Sequence, residues 1–203
     1  IIKNKKGEIQ FGGVIYSDSA DKATRFIANC NQRKIPLVFL QDVTGFMVGS
    51  DAEHGGIIKD GAKMVNAVSN SIVPKFTIVV GNSYGAGNYA MCGKAFDPRF
   101  IVSWPTAKIA VMGGEQAGNV LLQIQKSAAK KKGEKVETKK EEQLLNEIKE
   151  KYDVQTTPTY AAARMWIDAV IDPTNTRKWI SMGLALADHA PIEKKFSMGI
   201  LQV

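Results

Sequence analysis

The sequence has few of the residues that metal centres and histidine-dependent catalysis require. It contains two histidines, His54 and His189, and two cysteines, Cys30 and Cys92, among 203 residues. The cysteines do not stand at a spacing typical of metal ligands, and two histidines argue against a zinc site or a His-based triad. We therefore predict no metal in this chain and expect both cysteines to stay reduced.

Long apolar runs and a secretory leader are also missing. No segment reaches the roughly 18 consecutive apolar residues of a membrane-spanning helix. Residues 1–7, IIKNKKG, contain neither an apolar core segment nor a small-residue cleavage site. We therefore predict no membrane span. Because the chain does not begin with Met, we expect an excised domain or a cleaved product.

Positive charge is concentrated in one block. The net charge is +7, and a lysine-rich segment with interleaved glutamates covers about residues 127–150. Alternating signs without interleaved aromatic residues are typical of a solvated helix, so we predict no nucleic-acid binding. A milder alternative is a surface that meets an anionic coenzyme phosphate. We expect a projecting helical hairpin, or a partly mobile excursion, that bends at Gly133 and packs through Leu144, Leu145 and Ile148.

Buried strands alternate with amphipathic helices along the chain. The strands are predicted at 9–16 (with a Gly-Gly break), 37–40, 75–80, 99–103, 108–112 and 169–171, and the helices at 19–33, 53–71, 115–129, 158–166 and 175–188. This rhythm with short connections predicts an α/β fold with a mainly parallel sheet. The helical spacing places Phe26, Ile58, Val120, Leu121 and Ile124 on core-facing sides.

The stretch VVGNSYGAGNYAMCG, residues 79–93, is the centre of the predicted site. An apolar, β-branched run passes through Gly81, Gly85 and Gly87 into a short helix. Backbone N–H groups at such a junction suit an anion, a phosphate or an oxygen that becomes negative during a reaction. The alternative is a turn whose glycines serve packing alone. Loop 41–50 also follows a predicted parallel strand, so both loops should lie at one sheet edge, where ligands collect.

Side-chain nucleophiles are less convincing than backbone amides. Ser83 fits the pattern G-N-S-Y-G of a serine hydrolase, but the only histidine downstream is His189. Cys92 lies in an apolar segment and is predicted to belong to the core. The chain instead offers amides that could polarise a carbonyl into an oxyanion or an enolate, at Gly45, Phe46, Ala86, Gly87, Gly113 and Gly114.

Several long blocks closely resemble one enzyme family. They are GGVIYSDSADKATRFIANC (12–30), FLQDVTGFMVG (39–49), GGIIKDGAKMV (55–65), VPKFTIVVGNSYGAGNYAMCG (73–93), WPTAKIAVMGGEQAGNVL (104–121) and TYAAARMWIDAVIDPTNTRKWI (159–180). In this order, they resemble the C-terminal half of the carboxyltransferase β subunit of biotin-dependent acyl-CoA carboxylases, of the methylcrotonyl-CoA type. The lysine-rich block and DVTGFMVGSDAE also resemble the glutaconyl-CoA decarboxylase α subunit.

The resemblance implies a fold and a reaction. The fold would be crotonase-like, a spiral of ββα units in which residues 1–203 form the C-terminal carboxyltransferase domain. The reaction would be carboxyl transfer between carboxybiotin on a partner carrier and the γ- or α-carbon of an acyl-CoA. This domain would supply the biotin side of the site, and the subunit would form a dimer-based homo-oligomer, with a hexamer as one option. A biotin carrier and a biotin carboxylase would be partners, in the cytoplasm or the mitochondrial matrix.

The resemblance also implies residue roles. The amides of Ala86 and Gly87 would form the oxyanion hole for the ureido oxygen of biotin. Tyr89 stands where propionyl-type enzymes tend to carry an Asp that helps select the acyl group, and an aromatic ring there fits a bulkier or unsaturated chain. The remaining residues of the biotin pocket would be Gly45, Phe46, Gly85, Gly113 and Gly114.

Two other functions stay open at this point. A decarboxylase of the glutaconyl-CoA type would transfer CO2 from acyl-CoA to biotin. A non-catalytic assembly module would keep the fold for oligomerisation. For a carboxyltransferase, the isolated domain is expected to be inactive, because the site would need a second half from elsewhere.

Overall fold

A computed structural model describes residues 2–3, 7, 9–132 and 138–199. The strands of these residues are β1 Ile2–Lys3, β2 Ile9–Gln10, β3 Val14–Ile15, β4 Leu37–Val43, β5 Gly45–Phe46, β6 Lys75–Tyr84, β7 Phe100–Ser103, β8 Lys108–Ala110 and β9 Ala169–Val170. The α-helices are α1 Ser17–Gln32, α2 Ser50–His54, α3 Ile57–Ser69, α4 Gly85–Ala90, α5 Gly114–Lys132, α6 Thr138–Gln155, α7 Pro158–Ala163 and α8 Thr176–Ala187. Short 3-10 helices cover Lys94–Phe96 and Pro173–Asn175.

The main sheet is parallel, as the alternating pattern predicted. Its strand order is β4–β6–β7–β9, and β8 pairs in parallel with the end of β6. Two small pairs complete the strands, parallel β3–β5 and antiparallel β1–β2. The loops that follow β4 and β6 therefore meet at one edge of the sheet, which places both predicted site loops together.

Strand β6 is the centre of the sheet and is longer than predicted. Its residues 75–79 are all buried, since helices cover both faces of the sheet. The strand does not turn at Gly81 but continues to Tyr84, because its last residues pair with β8. The register with β4 shifts between Gln41 and Val43. In this irregular stretch the Asp42 carboxylate accepts a hydrogen bond from the Asn82 backbone N–H at 2.9 Å.

One face of the sheet packs against α8. Phe76 and Phe100 contact each other there, with ring centroids 5.0 Å apart, and Trp179 meets Phe100 edge-on at 5.6 Å. Gly183 of α8 lies directly over both phenylalanine rings. The predicted inward face of the last helix is confirmed, with Trp179, Ile180 and Leu184 packed on this cluster.

Gly183→Val is expected to destabilise the protein by about 1–3 kcal/mol, the usual cost of overpacking a core. A Cβ at this position would lie 2.5 Å from Phe100 Cε1 and 2.8 Å from Phe76 Cε1. Denaturant unfolding measures the change in the free energy of unfolding. The matched control is Gly12→Val, since a Cβ at Gly12 meets nothing within 4 Å. Equal stability of the two variants would contradict the packing seen at Gly183.

The opposite face of the sheet packs against α1 and α3. The two helices share an ion cluster, in which the Lys63 ammonium lies 2.9 Å from the Asp60 carboxylate and 3.2 Å from that of Asp21. The hydrogen bond from Lys63 holds the pKa of Asp60 below its ordinary value. The predictions for Phe26 and Ile58 are wrong, because these side chains are exposed on the outer sides of α1 and α3.

The predicted helix at 53–71 is two helices. A turn at Gly55 and Gly56 separates α2 from α3, and Gly56 adopts a left-handed conformation with φ of 95°. The helix predicted at 158–166 also ends early, at Ala163, since Met165 has a positive φ of 58°. At each boundary a single residue has a positive φ, which a right-handed helix cannot contain. The spacing of apolar residues does not reveal such backbone conformations.

The lysine-rich segment lies in α5 and α6, two helices that pack side by side, and α5 also contains the helix predicted at 115–129. We call α5 and α6 together the lysine-rich hairpin. The helices run antiparallel, since Gly114 lies against Tyr152 and Gly118 against Leu145. These small residues let the helices approach closely and turn Val120, Leu121 and Ile124 outward, so the prediction that these three face the core is wrong. Leu145 and Ile148 are half-buried, as predicted. Gly133 and the side chain of Leu144 lie outside the described residues.

Candidate functional site

The junction from β6 to α4 lies at the edge of the sheet where parallel strands end. Gly85 begins the helix with a positive φ of 50°. A Cβ at Gly85 would lie 2.7 Å from the carbonyl oxygen of Val111, so only glycine lets the chain turn here so close to the end of β8. Of the three glycines predicted to make the turn, Gly85 is therefore the one at which the backbone changes direction.

Gly87 fixes the inner side of α4. It is buried, and a Cβ there would lie 2.6 Å from Val43 Cγ2 and 3.3 Å from the Cα of Gly45. The short helix thus rests directly on the end of β4 and the start of β5. The structure brings together Gly45 and Gly87, two residues that the sequence assigned to one site from separate loops.

A cavity of about 630 Å³ opens beside Ala86. Phe46 also lines this cavity, together with apolar residues of α3 such as Ile57 and Val65. Gly61 makes room for the ring of Phe46, since a Cβ at Gly61 would lie 2.9 Å from Phe46 Cε1. This need for a small side chain was missed from the sequence, where Gly61 is one residue within a helical pattern.

A second cavity, of about 430 Å³, lies beside Tyr89. Gly85 and Asn88 of the same junction line it, and its far wall comes from α6, α7 and the residues after α7, including Tyr152, Tyr160 and Trp166. The ring of Tyr89 is half exposed and meets Phe96 edge-on at a centroid distance of 5.8 Å. Helix α4 therefore borders two cavities, one beside Ala86 and one beside Tyr89.

Gly113 and Gly114 do not themselves line either cavity, although Gly114 packs against Tyr152, which lines the cavity beside Tyr89. A Cβ at Gly114 would lie 3.1 Å from the Cβ of Tyr152, and one at Gly113 would lie 3.8 Å from the ring of Tyr84. These contacts place both residues at the base of the hairpin. The structure thus groups Phe46 with Ala86, and Gly85 with Tyr89, while Gly113 and Gly114 occupy a third position.

A chain of buried and part-buried hydrogen bonds holds α4 against the sheet. The Asn88 side-chain amide donates to the Ser83 hydroxyl at 2.7 Å, and that hydroxyl donates to Gln41 Oε1 at 2.6 Å. Gln41 Nε2 then donates to the carbonyl of Met91 at 2.7 Å. Gln41 and Ser83 have no exposed surface. The Ser83 hydroxyl is therefore engaged on both sides within the interior, unlike the accessible nucleophile of a serine hydrolase.

Sequence reasoning missed this chain of hydrogen bonds. Gln41 was assigned to a polar loop, whereas the structure places it inside β4. One signal was present. Side chains two positions apart in a strand lie on the same face, and Gln41 stands two positions after Phe39 and four after Leu37, so it continues their inward face.

Cys92 belongs to the core, as predicted. It is fully buried, its carbonyl accepts a hydrogen bond from the Thr77 hydroxyl at 2.7 Å, and burial raises the pKa of its thiol to about 11. A thiol that stays protonated at neutral pH is a poor nucleophile. Burial also lowers the pKa of Lys75, whose ammonium donates to the carbonyl of Val68.

Two further features concern metals and membranes. Within residues 2–3, 7, 9–132 and 138–199, His, Cys, Asp and Glu form no group of three or more that could hold a metal ion. In the same part of the chain, every helix is too short or too polar to cross a bilayer.

Comparison with known proteins decides the family. Residues 1–198 match the model of the carboxyl transferase domain. The chain belongs to the carboxyl transferase domain family. It is 49% identical over 193 residues to a probable mitochondrial methylcrotonoyl-CoA carboxylase beta chain of Drosophila melanogaster. The aligned residues cover 95% of this chain and 33% of that relative. The resemblance found in the sequence motifs is thereby confirmed.

Solved carboxyltransferase structures share the fold. The beta subunit of geranyl-CoA carboxylase from P. aeruginosa superimposes with a TM-score of 0.79 and 43% identity, over 94% of this chain and 35% of that one. Transcarboxylase 12S, described as a hexamer assembly, gives a TM-score of 0.75 and 37% identity, over 90% and 35% of the two chains. The chain thus spans about a third of the length of these carboxyltransferase relatives.

Proposed function

We propose that this chain forms the biotin-side wall of a carboxyltransferase site that works on acyl-CoA and carboxybiotin. One observation carries the proposal: the amide-bearing start of α4 borders the apolar cavity of about 630 Å³ that Phe46 and Ala86 line. Family membership and the names of the relatives support the same reaction. The crotonase-like spiral and the position in the C-terminal half of a longer subunit belong to this proposal.

The residues beside Ala86 fit a biotin ring. The cavity has the size typical of small-molecule sites, and its wall is mostly apolar, as the bicyclic ring requires. The first amides of a helix have no partners within the helix, which leaves those of Ala86 and Gly87 able to donate to an oxygen. Phe46 would exclude water from the opposite side, and Gly45, which is not among the lining residues, would support α4 through its contact with Gly87.

The chemistry assigned to this chain is electrostatic. When bound, carboxybiotin supplies the carboxyl group that a carbon of the acyl-CoA receives. The amides of Ala86 and Gly87 would donate hydrogen bonds to the ureido oxygen, where negative charge develops as the nitrogen gives up its carboxyl group. Close packing of Gly87 on Val43 keeps these donors in place, so that little reorganisation is needed during transfer.

The cavity beside Tyr89 is proposed to hold the acyl group. Its wall combines the rings of Tyr89, Tyr160 and Trp166 with the side chain of Ile109, a lining that favours an apolar chain. Residues of α6 also line this cavity, which gives the lysine-rich hairpin a role in shaping the pocket. We place Gly113 and Gly114 in support of that hairpin, and Gly85 between the two cavities.

Partners follow from the proposed reaction. A biotin carrier and a biotin carboxylase would supply the carboxyl donor, and a second carboxyltransferase half would hold the CoA. The hexamer described for transcarboxylase 12S supports a homo-oligomer here as well. A cytoplasmic or mitochondrial-matrix location remains a prediction, as does inactivity of this chain on its own.

The test uses the full-length protein that contains this chain. Methylglutaconyl-, methylmalonyl-, malonyl- and glutaconyl-CoA are each supplied with free biotin, and biotin-dependent release of CO2 is followed. Because a carboxyltransferase accelerates transfer in both directions, the acyl-CoA that supports transfer distinguishes the candidates: glutaconyl-CoA for the decarboxylase type, and one of the other three for a carboxylase component. Biotin-dependent transfer with at least one substrate is expected. Its absence with all four would favour the non-catalytic assembly module.

Tyr89→Asp is expected to shift acyl selectivity. A carboxylate in this wall disfavours burial of a branched apolar chain, so the ratio of kcat/KM for methylcrotonyl-CoA to that for propionyl-CoA should fall by about 10-fold or more. Tyr89→Phe keeps the ring and its contact with Phe96 and serves as the matched control. If both variants keep the ratio of the unmodified enzyme, the cavity beside Tyr89 is not the acyl pocket.

A further inference from the structure

The chain of hydrogen bonds beneath α4 begins and ends on the same short segment. It leaves the segment at the Asn88 side chain, passes through Ser83 of β6 and Gln41 of β4, and returns at the Met91 carbonyl, immediately after α4. We call these four residues the α4 clamp. Each residue donates to the next, from Asn88 to Ser83 to Gln41 to Met91, and each hydrogen bond is 2.6–2.7 Å long. The clamp therefore ties the helix to the two adjacent strands of the sheet.

Helix α4 needs such an anchor. It has six residues, and helices this short are not stable by themselves in water, so tertiary contacts must set its orientation. The contact of Gly87 with Val43 stops α4 from moving closer to β4, but it does not stop α4 from moving away. Hydrogen bonds to the strands oppose movement in both directions.

The end of the segment is shaped to hold Asn88. Gly93 donates its backbone N–H to the Asn88 carbonyl at 2.8 Å, and a Cβ at Gly93 would overlap the Asn88 side-chain oxygen. The Asn88 amide is thus confined between Gly93 and Ser83. Because Gln41 and Ser83 are fully buried, loss of one member leaves a polar partner without a hydrogen bond in the interior.

We propose that Gln41, Ser83 and Asn88 are positioning residues that fix the amides of Ala86 and Gly87 for transfer. This inference rests on the proposed function, since it assigns the clamp a role at the same site. The three side chains act on these amides through the backbone of α4, and Ser83 and Asn88 also line the cavity beside Tyr89. Displacement of well-placed catalytic groups by about 1 Å can cost on the order of 10²-fold in rate.

Asn88→Asp tests the clamp in the full-length protein. A carboxylate of the same shape only accepts, so it draws the Ser83 hydrogen toward itself and leaves Gln41 Oε1 without a donor. We expect kcat for biotin-dependent transfer to fall on the order of 10²-fold, with the KM for biotin within about twofold of the unmodified enzyme, because Asn88 does not line the cavity beside Ala86. Protonation restores a donor, so the kcat of the variant relative to the unmodified enzyme should rise as the pH falls.

Hydrogen exchange supplies a readout that does not depend on activity. Amide exchange in residues 85–91 is expected to speed up by about tenfold in Asn88→Asp and in Ser83→Ala. Ser83→Ala removes the hydrogen bond to Asn88, and Asn88→Asp leaves Gln41 Oε1 without its donor, so each variant breaks the clamp at one link. The matched control is Asn31→Asp. Asn31 is also a buried asparagine, but it joins the end of α1 to the backbone of Ile72 and Val73. It should lower stability without changing exchange in α4 or the pH dependence of kcat.

The outcomes separate this inference from the proposed function. Faster exchange in α4 together with a lower kcat supports the clamp. If the unmodified enzyme catalyses transfer, two results overturn the clamp: unchanged amide exchange in α4 of the variants, or faster exchange with an unchanged kcat. No transfer by the unmodified enzyme would instead refute the proposed function, before any substitution is made.

Discussion

Ala86→Pro is expected to lower kcat for biotin-dependent carboxyl transfer by about 10²–10³-fold in the full-length protein. Proline has no N–H, so the substitution removes one of the two proposed donors to the ureido oxygen. Removal of a single oxyanion donor in other enzymes has an effect of this size. The fold should survive, because Ala86 is the second residue of α4, and the first turn of a helix tolerates proline.

Arg177→Pro is the matched control. Arg177 is the exposed second residue of α8, far along the chain from the site loops. This variant should keep kcat within about twofold, and any stability that it loses because a 3-10 helix precedes α8 is measured separately from activity. Melting curves show whether both variants fold. A folded Ala86→Pro enzyme with undiminished transfer would refute the assignment of this amide.

Gly87→Val is the second substitution with a large expected effect, and it should abolish measurable transfer. The added side chain would overlap Val43, whose Cγ2 lies 2.6 Å from the ideal Cβ position, and would come within 3.3 Å of the Gly45 Cα. Helix α4 must then move away from β4, which carries the amides of Ala86 and Gly87 out of position. Steady-state transfer rates and the melting temperature measure the two effects separately.

A rescue experiment shows whether the steric contact is the cause. Gly87→Ala places the smallest possible side chain against Val43, and Val43→Ala removes both methyl groups from that contact. We expect Gly87→Ala to lose on the order of 10²-fold in kcat and the double substitution to regain part of it. Strict additivity of the two single effects would mean that Val43 does not set the position of α4.

The sequence predicted most of what depends on local pattern. The apolar, β-branched run at 76–80 predicted a buried strand, and β6 is one, with residues 75–79 all buried. Because β4 and β6 are parallel, their following loops had to share one edge, so Phe46 and Ala86 were correctly expected near each other. The long motifs identified the carboxyltransferase family, which the comparisons confirm.

Apolar periodicity failed where small residues decide which face is inward. In α5, Gly114 and Gly118 allow a close approach to α6, so the larger side chains of Val120 and Ile124 face outward. A hydrophobic pattern predicts that the face with the largest apolar side chains is buried. Here the buried face of α5 is the one with small residues, which lets the axes of α5 and α6 come closer together. The exposed position of Ile58 on α3 shows the same limit.

By itself, the sequence determined the alternation of strands and helices, the parallel sheet, the family and the two loops proposed to carry the site. The family follows from the resemblance of long motifs, and the other properties follow from side-chain periodicity and turn residues that are local in the chain. Only the tertiary structure decided that α4 borders two separate cavities and that Gln41, Ser83 and Asn88 hold it from beneath. Those three residues are up to 47 positions apart, 41 to 88 in the chain, and hydrogen bonds between them form only when β4 and β6 lie side by side.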